Sequence, residues 1–341
     1  MDFLPVSAFI LSMACTWLVR HYALRRGVLD LPNHRSSHTQ PTPRGGGLAI
    51  VLAFLLCGLP YANNTGVGAN AGWWALYAGF SAIATVGYWD DHQPLPARIR
   101  FVAHLAAALV LVWVLQLPVP PQLQWVFNPQ LAFAQAGWAL FQVLMVAWLI
   151  NLTNFMDGID GIAGVQAFGA SIGFALLWLC AELPLQAVVP VLVFAAAALG
   201  FLVFNFPPAK IFMGDVGSGA LGFAFGGFIL LYAQVDLHWA MAWLILLAVF
   251  ITDATVTLLV RVARGKNPGE AHRSHAFQIA ARRFKAHRPV TLAVAGILVA
   301  WLLPVAAVYV SGHLAVHWAL LLAYGPLVAL AVTLKAGRQD D

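Results

Sequence analysis

The sequence predicts an all-α, polytopic helical membrane protein of about eleven transmembrane helices, and three observations carry that prediction. Of its 341 residues, 61% are hydrophobic and only 9% charged, whereas soluble domains carry about a quarter charged residues. Apolar runs long enough to cross a bilayer recur along the whole chain. Laid out alternately across a membrane, those runs put all eighteen Lys and Arg residues on one side.

The expected spans are 3–23, 46–62, 71–89, 100–117, 136–153, 161–180, 186–205, 216–233, 238–260, 290–310 and 314–334. The second is Gly-rich at its start and cut short by Pro60. No positive charge precedes the first run, so a signal peptide is not expected; Arg20, Arg25 and Arg26 follow it. This places the N-terminus in the periplasm and, by alternation, the C-terminus in the cytoplasm. The remaining basic residues then fall in the cytoplasmic connections: Arg35 and Arg44, Arg98 and Arg100, Lys210, Arg261–Arg288, Lys335 and Arg338. The outer loops are short or rich in Pro and Gln, and one integral-membrane domain, 1–341, is expected. The net charge of +5 follows from this asymmetry and from anionic headgroups, so nucleic acid is not needed to explain it. Cys15, Cys57 and Cys180 all lie in apolar runs without metal or redox spacing.

The chemistry gathers at the inner ends of four spans. Asp90 and Asp91 close the third, with Arg98 and Arg100 leading into the fourth. Asn151, Asn154, Asp157 and Asp160 close the fifth at a spacing of three, so a helical continuation would stack them on one face. The seventh ends in Asn205–Ser218, which holds Lys210, Phe212 and Asp215. After the ninth, Asp253 is followed by Arg261, Arg264, Lys266, His272, Arg273 and His275. Ionisable groups near apolar spans are costly and usually functional. Several carboxylates and no thiolate–histidine spacing point to a hard cation, Mg²⁺ or Mn²⁺. Gly214, Gly217 and Gly219 open a helix beside Asp215, where backbone N–H groups can approach phosphate; the Walker ending is missing. Acidic motifs and basic loops on one face suggest phosphoryl transfer at a lipid–water boundary. A transporter or flippase would place its charges at midplane and often show inverted repeats. A scaffold without activity would not need its acidic motifs intact.

Together, Asp30–His38, Pro41–Gly47, Asp90-Asp91, Asn151–Gly161, Asn205–Ser218 and the loop around His272–His275 resemble the polyprenyl-phosphate N-acetylhexosamine-1-phosphate transferases. That superfamily, glycosyltransferase family 4, also holds the phospho-MurNAc-pentapeptide transferase of peptidoglycan synthesis. The Asp30–His38 and His272–His275 pieces look most like bacterial enzymes that start O-antigen chains. The resemblance implies attack by undecaprenyl phosphate on the β-phosphorus of a UDP-N-acetylamino sugar, releasing UMP at the inner membrane. It implies Asp215 as the Mg²⁺ ligand with Asn154 beside it, and Asp90, with Asp91, as the base or positioning group for the lipid phosphate. Arg98 and Arg100 would counter that phosphate. Asn205, Phe212 and Asp160 match uridine-binding positions, with Phe212 stacking on uracil. Asn151, Asp157 and Lys210 belong to the same substrate-binding motifs, and Arg273 and His275 are expected on the donor side. Phe277 and Gln278 stand where peptidoglycan members carry further histidines, which argues against that role. The donor sugar is not readable, and a homodimer is left open.

Overall fold

The structure is a computed structural model that describes residues 3–32, 40–128, 130–131, 133–267, 269–270 and 272–338. The Asn33–His38 part of the first expected motif, with Arg35, lies outside the described residues. Thirteen helices are described: α1 Leu4–Arg26, α2 Gly47–Asn64, α3 Ala71–His92, α4 Ala97–Leu115, α5 Ala134–Met156, α6 Ile162–Cys180 and α7 Leu185–Asn205. They continue with α8 Asp215–Ala233, α9 Leu237–Leu246, α10 Ala248–Ala263, α11 Ala276–Phe284, α12 Arg288–Val310 and α13 Val316–Thr333. The protein is an all-α, multi-pass membrane protein. Nine of these helices are long and apolar enough to cross a bilayer, and the bent pair α9–α10 supplies a tenth span. α3 is helical over the expected third span, but its Gly, Ser, Trp and Tyr content leaves it less apolar.

α8 is the axis of the bundle, with nearly its whole length buried. Its glycines let neighbours come close: a Cβ on Gly222 would sit 2.4 Å from the Leu149 carbonyl oxygen of α5. Gly87 does the same from α3, where a Cβ would lie 2.3 Å from the backbone oxygen of Asp215. Interlocked rings of Phe54, Tyr77, Phe80, Phe194 and Phe228 fill the space between α2, α3, α7 and α8. α1 and α13 lie outermost and turn most of their side chains outward. This suits a lipid solvent, in which an exposed Leu costs nothing.

The expected ninth span is broken. α9 and α10 meet at Leu247 with a bend of 69°, and no proline or glycine causes it. Backbone carbonyls freed in an apolar medium need donors. Gln166 of α6 donates its amide N–H to the Leu246 oxygen at 2.9 Å, and the Tyr324 hydroxyl of α13 donates to the Leu244 oxygen at 2.8 Å. α12 stays continuous through a π-helical stretch at Leu298–Leu302.

The stretch read as one loop from 261 to 289 contains α11. Asp253 of α10 makes that helix possible by accepting the N–H groups of Ala276 and Phe277, both at 2.9 Å. These are N–H groups that a helix start leaves without partners.

Candidate active site

The expected acidic motifs meet at one end of the bundle. Asp91, the last turn of α3, reaches the start of α8 and accepts the N–H groups of Asp215 and Val216 at 3.0 and 3.1 Å. A carboxylate there satisfies free donors and complements the positive end of the helix dipole. Gly214 precedes that start at φ +78°, and a Cβ there would lie 2.6 Å from Asp91 Oδ2. Asp91 therefore fixes α3 to α8, with both oxygens committed to that task. Arg44 adds a hydrogen bond to the Asp91 carbonyl. Its loop pairs through backbone with the Phe212 strip: Gly46 and Gly47 donate to the oxygens of Phe212 and Met213, and Phe212 donates to Pro43.

Asp90 stands one residue earlier and does something different. Its Oδ1 accepts the N–H of Leu95 at 2.5 Å, and its Oδ2 accepts from Arg100 Nη1 at 2.6 Å. The same Nη1 reaches Asp215 Oδ2 at 3.1 Å. Asn154 donates its amide N–H to Asp215 Oδ1 at 2.8 Å and to the Ser218 hydroxyl at 2.9 Å. Asp215 is thus aimed by one cation and one amide. Asn154, expected beside a metal, turns its nitrogen toward that carboxylate.

α5 ends at Met156. Asn151 and Asn154 share a helical face, while Asp157 and Asp160 occupy the turn beyond it, so the expected stack of four is cut in half. Among the described residues Asp157 has no cationic neighbour. Burial, then the carboxylates of Asp215, Asp91 and Asp160, push its carboxyl well above the ordinary aspartate value. Asp160 is held by the Ala209 N–H at 3.0 Å and by His287 Nδ1 at 3.0 Å. Asn205 is buried, accepting from the Gly161 N–H and donating to the Ile211 oxygen, so it ties two loops together behind the pocket. Lys210 is exposed and lines none of the cavities at this end; its carbonyl accepts from Arg20.

Two kinds of space meet at these residues. A polar pocket of about 290 Å³ is lined by Asn154, Asp157, Asp160, Phe212, Asp215 and Ser218. It continues past Phe212, Asp160 and His287 into a cavity of about 660 Å³ carrying Arg273, Arg282, Lys285 and Arg288. On the other side lies a groove of about 890 Å³ with Arg98, Arg100, His104, Phe101, Leu144 and Trp148. Asn154 and Asp215 line both the polar pocket and the groove.

The structure separates Arg273 from His275, which the sequence reading put together on the donor side. Arg273 lines the basic cavity, whereas His275 lines the groove. The cause is Asp253, which draws His275 Nδ1 to 3.2 Å while capping α11. His272 stacks on His275 with ring centroids 4.9 Å apart. Residues that the sequence reading did not single out also line these spaces: Arg44, Ser218, His287, and His104, whose Nδ1 lies 3.2 Å from the Asn151 amide nitrogen. Asp253 carried a signal, an acid inside an apolar run.

The family model "Glycosyl transferase family 4" matches residues 73–233, which span α3 to α8 and all three acidic motifs just described. The chain is 31% identical over 279 residues to the probable undecaprenyl-phosphate N-acetylglucosaminyl 1-phosphate transferase of Bacillus subtilis (strain 168), covering 79% of this chain and 75% of that protein. This chain belongs to glycosyl transferase family 4. Within it, the similarity places the chain among the polyprenyl-phosphate N-acetylhexosamine-1-phosphate transferases. The decaprenyl-phosphate N-acetylglucosaminephosphotransferase of Mycolicibacterium smegmatis is another relative, 31% identical over 303 residues with 79% of this chain and 72% of that protein covered. The phospho-N-acetylmuramoyl-pentapeptide-transferase of Levilactobacillus brevis is 30% identical over 247 residues, covering 67% and 72%.

Proposed function

We propose that this protein transfers an N-acetylamino-sugar 1-phosphate from a UDP-sugar to undecaprenyl phosphate. The products are undecaprenyl-diphospho-sugar and UMP. One observation carries the reading: Asp215 and Asn154 stand where a polar pocket and an apolar-walled groove meet. An oxygen of the lipid phosphate attacks the donor's β-phosphorus, the bond to the α-phosphate oxygen breaks, and UMP leaves. One phosphoanhydride replaces another, so the work is to align two anions and neutralise their repulsion.

The groove takes the lipid phosphate, with Arg98 and Arg100 at its mouth; the polar pocket takes the nucleotide diphosphate, with Phe212 beside uracil. A phosphate monoester is largely ionised at neutral pH, so Asp90, already held by Arg100, serves to set that arginine rather than to remove a proton. The donor set fits Mg²⁺ or Mn²⁺. It is all oxygen, and the carboxylates of Asp215, Asp91 and Asp160 all act on the half-buried Asp157 to raise its pKa. Mg²⁺ commonly takes one or two carboxylates and fills its shell with water and phosphate, so the lack of a cluster of three ligands among the described residues is compatible with it. Asp215 would hold the ion, and Asn154 would steady that carboxylate. The metal supplies charge neutralisation of the diphosphate.

The proposed setting is the bacterial inner membrane with the site facing the cytoplasm, as the one-sided Lys and Arg support. The proposed role is the first step of O-antigen or a related envelope glycan. Purified protein should release UMP from a UDP-N-acetylamino sugar only when undecaprenyl phosphate is added, and chelation should stop it. A panel with UDP-MurNAc-pentapeptide beside UDP-GlcNAc, UDP-QuiNAc and UDP-FucNAc identifies the sugar. No UMP release with any of them would overturn the proposal.

A further inference from the structure

Among the ionisable side chains that line the groove, His104 is one that nothing above has given a task. His104 lies four residues after Arg100 on α4, on the same helical face and about 6 Å further along the axis. It lines the groove among Phe101, Leu144 and Trp148. An intramembrane ionisable side chain of this kind points to function.

Its hydrogen bonding fixes which edge of the ring is available. Asn151 donates its amide nitrogen to the Ala147 carbonyl at 2.7 Å. The reverse orientation would set two oxygens against each other, so the amide cannot be flipped. That same nitrogen faces His104 Nδ1 at 3.2 Å. Nδ1 must therefore be the acceptor, and in the neutral imidazole the proton resides on Nε2. Among the described residues Nε2 has no protein partner, and it is absent from the buried polar atoms that lack one, so this edge is open. The result is a neutral N–H donor, held at a set tautomer, inside a groove with apolar walls. Arg100 is already shared between Asp90 and Asp215.

We propose that His104 is a further phosphate-binding residue of the acceptor groove, its Nε2–H donating to the lipid phosphate one helical turn beyond Arg100. The inference rests on the transferase reading for the identity of the ligand. A neutral donor suits this depth, since a second full charge inside the apolar walls would be costly to desolvate. Asn151 acts through His104 as a positioning residue.

The test uses full-length protein in nanodiscs. His104→Phe keeps the ring's bulk and removes the N–H; His104→Gln keeps an amide donor. His104→Phe should raise the KM for undecaprenyl phosphate about 10-fold or more, as expected for a lost hydrogen bond to a charged group, and leave the UDP-sugar KM unchanged. His104→Gln should restore most of the loss. An unchanged acceptor KM in a His104→Phe protein with wild-type thermal midpoint would overturn the assignment. A second measurement does not depend on turnover: calorimetric binding of farnesyl phosphate against farnesol, without nucleotide. Wild type should prefer the phosphate and His104→Phe should lose most of that preference; an equal preference in both proteins overturns the proposal. Absence of UMP release by wild type would remove the transferase reading, while this binding comparison would still judge His104.

Discussion

Asp157 faces three other carboxylates, and no cation lies beside it among the described residues. Its folded-state pKa is raised, so in metal-free protein the penalty is absent below the ordinary aspartate pKa. It grows as pH rises toward the raised value. With chelator present, wild-type stability should therefore fall as pH rises from about 4 toward neutrality, and Asp157→Asn should flatten that slope. Thermal unfolding across this range checks it, and Mg²⁺ should stabilise wild type more than the variant. Asp215→Asn removes the carboxylate shared by both cavities and should lower kcat on the order of 10²–10³-fold while the protein still folds. The density of Asp and Asn at span ends made this cluster legible in sequence. The division of labour was not. Asp90 and Asp91 are adjacent letters, yet one holds Arg100 and the other caps α8, because successive residues on a helix point about 100° apart. A lone His104 in an apolar run reads as packing until its Asn151 partner is known.

At the scale of elements, the close approach of α3 to α8 sets the site. Gly87→Ala would press a methyl onto the backbone of Asp215 and separate the helices that Asp91 joins. Overpacking of this kind costs about 1–3 kcal/mol, so both the thermal midpoint and kcat should drop. Gln166→Leu leaves the Leu246 carbonyl without its donor, a loss of roughly 1–3 kcal/mol, readable in the thermal midpoint. The span boundaries were legible because apolar runs of sufficient length have few alternatives to a membrane helix. The break at Leu247 was not, since Leu237–Val260 holds no proline or glycine to mark it and the donors that stabilise its bend come from α6 and α13. α11 escaped notice because its stability comes from Asp253, more than twenty residues earlier.

Across the whole molecule, the two cavities predict a kinetic separation. Arg100→Ala should raise the KM for the lipid phosphate, and Arg273→Ala that for the UDP-sugar, by about 10- to 150-fold for a lost charged hydrogen bond. His275, which lines the groove, should now behave with Arg100. Steady-state kinetics with each substrate varied in turn decides this, and a donor effect of His275→Ala alone would contradict it. The proposed orientation has its own check: single cysteines at 89–100 or 261–289 should resist impermeant thiol reagents in intact cells.

The bend at Leu247 works as a bracket rather than a hinge. Side chains from two different helices occupy the α9 carbonyls it frees, and Trp148 of α5 donates its indole N–H to the Thr255 hydroxyl of α10 at 3.2 Å, so α10 cannot swing without breaking polar contacts. The wall that α10 gives the groove is therefore stationary, and a long isoprenoid has no gate to wait for. Phe101, Leu144 and Phe155 are exposed along the groove, open to the bilayer from the side. A chain can slide in laterally and leave its distal units among the lipids. Turnover should then be indifferent to isoprenoid length once the first few units are present, because the enzyme grips the head and lets the membrane store the tail.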